Sequence, residues 1–307
     1  MTLNHGQLFK AFRFHRSKLQ VKVYISYDII NSAPLDTYEY LINPANEALV
    51  GTRFAYFPVG GPVPKLPSNL KQTTSSVLLH ESSSSSSSSS STESFMKSST
   101  WGGMEVGENM LYSVQVVDGE VHEQCGTPLL NYLQALPVLR KDEAGQDVRC
   151  PVGSAVLSPS FGSFVNYFRN IVHTVAPFYS DEKWEQLLLN CYLRSFDIVF
   201  NQSRQEQATQ TGVAATSTTT TTTTTSTSGV TVASVVLGAG CRGIPFNEAA
   251  AVAAKACGEY NDKCAKDVYS VDENEMDKHE LHFLLREEEH ASVLSRCIED
   301  NTNAEII

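Results

Sequence analysis

Apolar and polar positions repeat with two periods along this chain, and the two alternate. In Gln20–Ser26, Val21, Val23 and Ile25 fall at every second position, which predicts a strand with one face buried. Tyr38–Asn43 reads as a second strand, running into the polar corner Asn43-Pro44-Ala45-Asn46. A helix is predicted to start near Asp118 and to break at Gly126. It restarts with Thr127 as N-cap and Pro128 in the first turn, which sets Leu129, Leu130, Leu133 and Leu136 on one side. Val152–Leu157 and Asn170–Thr174 read as strands. The strongest helical period spans about Asp181–Phe200, capped by Ser180 and with Asp181 and Glu182 where the helix dipole favours anions. Its apolar stripe is Trp184, Leu187, Leu188, Cys191, Phe196 and Val199. Val230–Leu237 is continuously apolar, the pattern of a strand buried on both faces. An alanine-rich helix follows from about Asn247, then a strand at Leu281–Leu285 and a helix at Glu287–Asp300. Strands alternating with helices predict an α/β fold, a three-layer α/β/α sandwich with a mixed central sheet.

Three stretches break this rhythm. Thr52–Lys71, containing Tyr56-Phe57-Pro58-Val59-Gly60-Gly61-Pro62, has the composition of a loop. Ser82–Ser91 and Thr218–Thr225 are homopolymer runs with no apolar surface to offset the entropy of ordering. They predict disordered inserts at about 66–100 and 202–229 within one domain over 20–300. Residues 1–19 carry Lys10, Arg13, Arg16 and Lys18 and no acid. They are expected to be an N-terminal extension, either an organelle-targeting peptide or an ordinary basic arm. Residues 301–307 read as a tail.

Composition narrows the function. With 307 residues and 41% hydrophobic content the chain can bury a sizeable core. A net charge of -11 argues against a nucleic-acid surface. No apolar run has the length needed to span a bilayer, so no membrane partner is expected. The cysteines, 7 in number and scattered, do not form a disulfide framework, which fits a reduced intracellular compartment, cytoplasmic or nuclear. None lies in a CxxC pair, and His279-Glu280-Leu281-His282 lacks the spacing of a helical zinc motif. No metal, no cofactor and a monomeric state are therefore expected, with most cysteines acting as small buried hydrophobes.

Candidate chemistry gathers at three corners. Asn43 and Asn46 each offer an amide donor and a carbonyl acceptor, suited to paired sugar hydroxyls, although Asn-Pro-Ala-Asn is also ordinary turn chemistry. Asp118 stands before a helix, as an N-cap does. Gly238-Ala239-Gly240-Cys241-Arg242-Gly243 joins an apolar strand to a helix, where backbone N–H groups can approach phosphate oxygens. No Gly-Lys-Ser/Thr follows it, and no GxGxxG follows the first strand, so neither common nucleotide fingerprint is present.

The order of these motifs resembles the macro domain family of ADP-ribose-binding modules. Asn43-Pro44-Ala45-Asn46 is similar to its Asn-Ala-Ala-Asn, and Val117-Asp118-Gly119-Glu120-Val121-His122 to its Val-Asp-Gly-x-Ile-His. Cys150-Pro151-Val152-Gly153-Ser154-Ala155 resembles Cys-Pro-Thr-Gly-x-Ala, and Ile171-Val172-His173-Thr174-Val175-Ala176-Pro177 resembles Ile-Ile-His-Thr-Val-Gly-Pro. Gly238 through Pro245 is similar to Gly-Thr-Gly-x-x-Gly-x-Pro. The resemblance covers about 20–300. It implies that Asp28, beside Ile29, accepts from an adenine amino group, that Asn46 holds the distal ribose with Asn43 in the same corner, and that Asp118 orients or activates a water. It implies that Gly238, Ala239, Gly240, Cys241, Arg242 and Gly243 wrap a diphosphate, and that His173 is structural. The implied partner is ADP-ribose or an ADP-ribosylated protein. The implied activity is hydrolysis of an ADP-ribosyl linkage, with a non-catalytic reader as the alternative. Two departures stand out. Gln115-Val116 replaces the glycine run that precedes Val-Asp-Gly in hydrolytic members, and Arg242 stands where the last loop usually carries an aromatic.

Overall fold

Eight strands form one mixed sheet in the order β10-β1-β2-β9-β8-β3-β7-β6. They are β1 (Gln7–Arg13), β2 (Gln20–Ile25), β3 (Tyr38–Pro44), β6 (Ala155–Pro159), β7 (Phe168–Thr174), β8 (Thr231–Ser234), β9 (Glu280–Leu285) and β10 (Glu305–Ile306). A separate hairpin pairs β4 (Arg140–Lys141) with β5 (Asp147–Val148). The helices are α1 (Val117–Gln134), α2 (Trp184–Thr211), α3 (Phe246–Asp267) and α4 (Glu288–Asn301), with a 3-10 turn at Gly162–Asn166. The structure is a computed structural model that describes residues 6–15, 17, 19–26, 34, 35, 37–51, 117–143, 145–211, 229–240, 242–267 and 279–307. Both homopolymer runs, the Tyr56–Pro62 segment, Trp101-Gly102-Gly103, Asp28, Ile29 and Cys241 lie outside the described residues.

The five central strands, β2, β9, β8, β3 and β7, run parallel, and antiparallel strands close both edges. Parallel strands need a cover on each face, and two separate cores supply it. On one face Val121, Cys125, Leu129 and Leu133 of α1, spaced by one helical turn, pack on Leu41, Ile171 and Leu284 with Phe164 and Phe168. On the other, Leu188, Tyr192, Phe196 and Phe200 of α2, Ala253 and Cys257 of α3 and Leu294 of α4 pack on Val23, Ile42, Val232 and Phe283. This is the three-layer sandwich that the alternation of periods predicts.

Most element boundaries fall close to the sequence pattern, and the exceptions have local causes. The break at Gly126 is present, with φ 65 and ψ -159 inside α1. Ser180 does not cap α2: the helix begins at Trp184, and Asp181 instead closes a preceding turn by accepting from Phe178 N at 2.9 Å. The apolar run Val230–Leu237 yields only four residues of β8. Past Ser234 the chain leaves the ladder, and Leu237 N donates to the Tyr192 hydroxyl at 2.8 Å. Val236 and Leu237 stay buried, so their hydrophobicity reflects packing and not strand pairing. The basic N-terminus also differs from expectation. Gln7–Arg13 is β1, paired with β2; Phe12 and Phe14 are buried, Arg13 is exposed, and the half-buried Lys10 pairs with Glu299 of α4. The segment read as a tail supplies β10 against β1.

A polar cluster ties the opening residues of the strands together. Tyr38 donates to His282 Nδ1 at 2.9 Å, His282 Nε2–H donates to Glu280 at 3.0 Å, and Lys22 reaches the same carboxylate oxygen at 2.7 Å. The hydrogen bond from His282, together with Lys22, holds the Glu280 carboxyl well below its usual 4.5, at about 2. A carboxylate with a depressed folded value contributes stability that is fully present above its unfolded value and is lost as pH falls through the folded one. Denaturation of the wild type between pH 5 and pH 2 is therefore expected to show an acid-side loss that Glu280→Gln flattens. Equal slopes for the two proteins would remove this cluster from the pH response.

Candidate functional site

The carboxyl ends of β3, β7 and β8 lie side by side, since Asn43 pairs with His173 and Ile42 with Ser234 in the ladders. The loops that leave these ends carry the predicted residues, as open α/β sheets place their ligands. Asn43 is fully buried, and its amide nitrogen donates to Asp118 Oδ1 at 2.8 Å. The same nitrogen lies 3.2 Å from His173 Nδ1. His173 Nε2 in turn meets the Ser158 hydroxyl at 2.9 Å. With both amide protons of Asn43 directed at acceptors, the imidazole carries its proton on Nε2 and presents a lone pair at Nδ1. Burial, then the neighbouring His122, pushes His173 down to about 3, so it is a neutral hydrogen-bonding group.

Asp118 enters this chain from the first turn of α1 and is 2% exposed. One turn on, His122 places Nε2 3.8 Å from Asp118 Oδ1, with its ring 6.3 Å from that of His173. Gly51 sits against the His122 ring at φ 76, where a Cβ would lie 2.5 Å from His122 Cγ, so only glycine lets the chain pass this close. Asn46 is 2% exposed and braces its own loop: Oδ1 accepts from Val50 N and Nδ2 donates to Gly51 O, both at 3.4 Å.

The glycine loop leaves β8 and enters α3. Gly238 adopts φ 80 with Ile244 packed where a Cβ would fall at 2.7 Å. Gly243 N donates to Gly240 O and Ile244 N to Gly238 O, which folds Gly238-Ala239-Gly240 back under Arg242 and Gly243. Gly240 is exposed at the loop tip. The Arg242 guanidinium lies 4.2 Å from the Phe178 ring centroid, and Arg242 O accepts from Tyr179 N at 3.0 Å. The loop after β7 therefore buttresses the loop after β8.

Asn43, Asp118, His122 and His173 thus form one contiguous network, and the glycine loop occupies the same edge of the sheet. Sequence reasoning assigned His173 to structure alone and did not single out Ser158 or Phe178. Only the β3–β7 and β6–β7 registers bring Ser158 and Asn43 to opposite sides of the His173 ring. Cys125, Cys150, Cys191, Cys257 and Cys264 are buried and Cys297 is half-buried, and none of them forms a disulfide.

The architecture defines a three-layer α/β/α domain with its loops gathered at the carboxyl edge of a parallel core. The family model described as "Macro domain" matches residues 108–253. Over these residues the chain resembles the macro domain family. It is 36% identical over 84 residues to a macro domain-containing protein of Xanthomonas campestris pv. campestris, a match covering 27% of this chain and 42% of the relative. A macro domain-containing protein of Xanthomonas axonopodis pv. citri is 34% identical over 84 residues, with the same coverage of 27% and 42%. The match thus spans about two fifths of the length of these curated relatives. The Oceanobacillus iheyensis macrodomain with ADP superposes with a TM-score of 0.51 at 16% identity, covering 96% of this chain and 97% of that one. The same macrodomain with MES bound gives 0.50 at 17% identity, covering 95% and 97%. At these identities the structural likeness speaks for the fold.

Proposed function

We propose that the carboxyl edge binds ADP-ribose, free or attached to a protein, and that the site hydrolyses an ADP-ribosyl linkage. The observation that carries this reading is a buried carboxylate, Asp118, held by the Asn43 amide on the same sheet edge as a glycine loop that opens α3. A helix N-terminus beneath a tight glycine turn favours a diphosphate through backbone N–H groups and the helix dipole. The match to the macro domain model supports the ligand, as does the Oceanobacillus iheyensis neighbour described with ADP.

In the reaction, water attacks the anomeric carbon of the distal ribose and the bond from that carbon to the acceptor breaks. Asp118 positions the water and takes its proton, and the leaving group is protonated from solvent. The ligand's own diphosphate offsets the positive charge that develops on the ribose. On a mono-ADP-ribosylated protein, Asp118→Ala is expected to lower turnover by roughly 10²–10⁴-fold. Wild-type protein inert on ester-linked, phosphate and acetyl derivatives of ADP-ribose would sink the hydrolase reading.

One observation favours a non-catalytic reader as the second reading: Asp118 is almost fully buried, and one of its oxygens already accepts from Asn43. Calorimetry with ADP-ribose separates the two. Binding without turnover supports the reader, and no binding overturns both. Arg242→Ala is expected to weaken that binding by about 1–3 kcal/mol, the range for a charge-assisted hydrogen bond, and to make it less salt-sensitive. Unchanged affinity and salt slope would place Arg242 off the ligand.

A further inference from the structure

Behind Asn43, a carboxylate and two imidazoles converge from two elements of the fold. Among the described residues, Asp118, His122 and His173 each offer one donor atom, and these atoms all lie within 4.8 Å of one another. We propose that these three side chains bind a divalent transition-metal ion of the zinc class, a site that goes beyond the ADP-ribose reading while sharing Asp118 with it.

Donor chemistry selects the ion. Two imidazole nitrogens with one carboxylate oxygen suit zinc and its transition-metal neighbours, whereas magnesium and calcium take oxygen sets. Three protein donors also leave a fourth position open, as in zinc sites that bind water or an exchangeable ligand. Zinc bonds of about 2.0–2.1 Å set tetrahedral donors about 3.3 Å apart. The Asp118–His122 pair is already at 3.8 Å, so that pair needs only a small side-chain rotation, and His173 brings its donor within 4.8 Å of both.

The surroundings are those of a site whose donors are held in place. Ser158 at His173 Nε2 fixes the ring and leaves Nδ1 turned toward the Asn43 amide, the outer-shell contact that orients metal-binding histidines. Asp118 and His122 are one turn apart on α1 and face the same way. Gly51, pressed against the His122 ring, restricts its rotation. Two buried atoms at this point have no hydrogen-bond partner, His122 Nε2 and Asn43 Oδ1. His122 Nε2 is the donor a cation would take. Asn43 Oδ1 is a neutral oxygen that rotation of the amide would bring toward the same ion. At present the Asn43 amide protons stand between Asp118 Oδ1 and His173 Nδ1, marking where the two lone pairs converge.

The test uses the full chain, freed of metal with a chelator. Zinc is titrated in competition with a chromophoric chelator, and cobalt(II) is added separately for its visible spectrum. One equivalent of zinc is expected, with four-coordinate cobalt bands and no thiolate charge-transfer band. His122→Leu and His173→Phe are expected to weaken zinc by more than about 100-fold, and Ser158→Ala, which spares the donors, by about 10-fold. His290→Leu, at a half-exposed histidine on α4, should change nothing. If His173→Phe does not fold, His122→Leu decides, because its position is partly exposed. No stoichiometric zinc, undiminished binding in His122→Leu, or a thiolate band would overturn the site. ADP-ribose binding by the chelator-treated protein would then show that the nucleotide reading survives on its own.

Discussion

Gly240→Glu is expected to abolish ADP-ribose binding and leave the fold intact. Gly240 is exposed at the tip of the loop between β8 and α3, and its carbonyl accepts from Gly243 N. A side chain there projects from the surface that would face the diphosphate, and a carboxylate sets a negative charge beside an anion. Folding should survive because the loop is anchored elsewhere: Leu237 N on Tyr192, Ile244 N on Gly238 O, and Ile244 in the core. Calorimetry with ADP-ribose and thermal unfolding read the two halves of the expectation. A variant with wild-type affinity and wild-type stability would show that the ligand is held somewhere else, and the diphosphate assignment would fall.

Asn43→Leu is expected to have the largest effect on stability. The substitution removes a donor from a buried carboxylate and leaves the His173 Nδ1 lone pair facing hydrocarbon. Losing a hydrogen bond to a charged group and stranding a buried acceptor together cost roughly 2–4 kcal/mol. Domains are stable by only about 5–15 kcal/mol, so chemical denaturation should show a large drop in midpoint. Asn43→Ala, which leaves space for water to replace the amide, should be milder. Equal losses in the two variants would mean that lost packing, and not the stranded acceptors, sets the cost.

The layers of this fold are legible in the sequence because burial imposes its period on the residues. The alternation in Gln20–Ser26, the stripe along Leu188, Cys191, Phe196 and Val199, and the glycine break at Gly126 all correspond to observed packing. Where the reading failed, one residue served two demands. Val236 and Leu237 are apolar because they are buried in the core that α2 covers, yet they lie outside the ladder. Lys10 and Arg13 draw attention to charge, while Phe12 and Phe14 between and beyond them pack this end of the sheet on the core. The candidate site was legible as an ordered set of motifs. The contacts within it were not, because Asn43, Asp118, His173 and Ser158 meet only through strand register and the docking of α1. No local pattern in a sequence encodes which residue stands opposite another in a parallel ladder.

The pairing of β2 with β9 sets a timetable for folding. Gln20 stands opposite Glu280 and Ile25 opposite Leu285, so the centre of the sheet joins segments near the two ends of the chain. On a ribosome, β3, β7 and β8 can come together early and carry the site with them. The strand that links this half to β1 and β2 is made after all three. Pairing between segments so far apart closes a very large loop before it yields any stabilisation, which slows folding. Until β9 inserts, β8 and β2 each expose an unpaired edge, and that interval is when the growing chain is most open to pairing with the wrong partner.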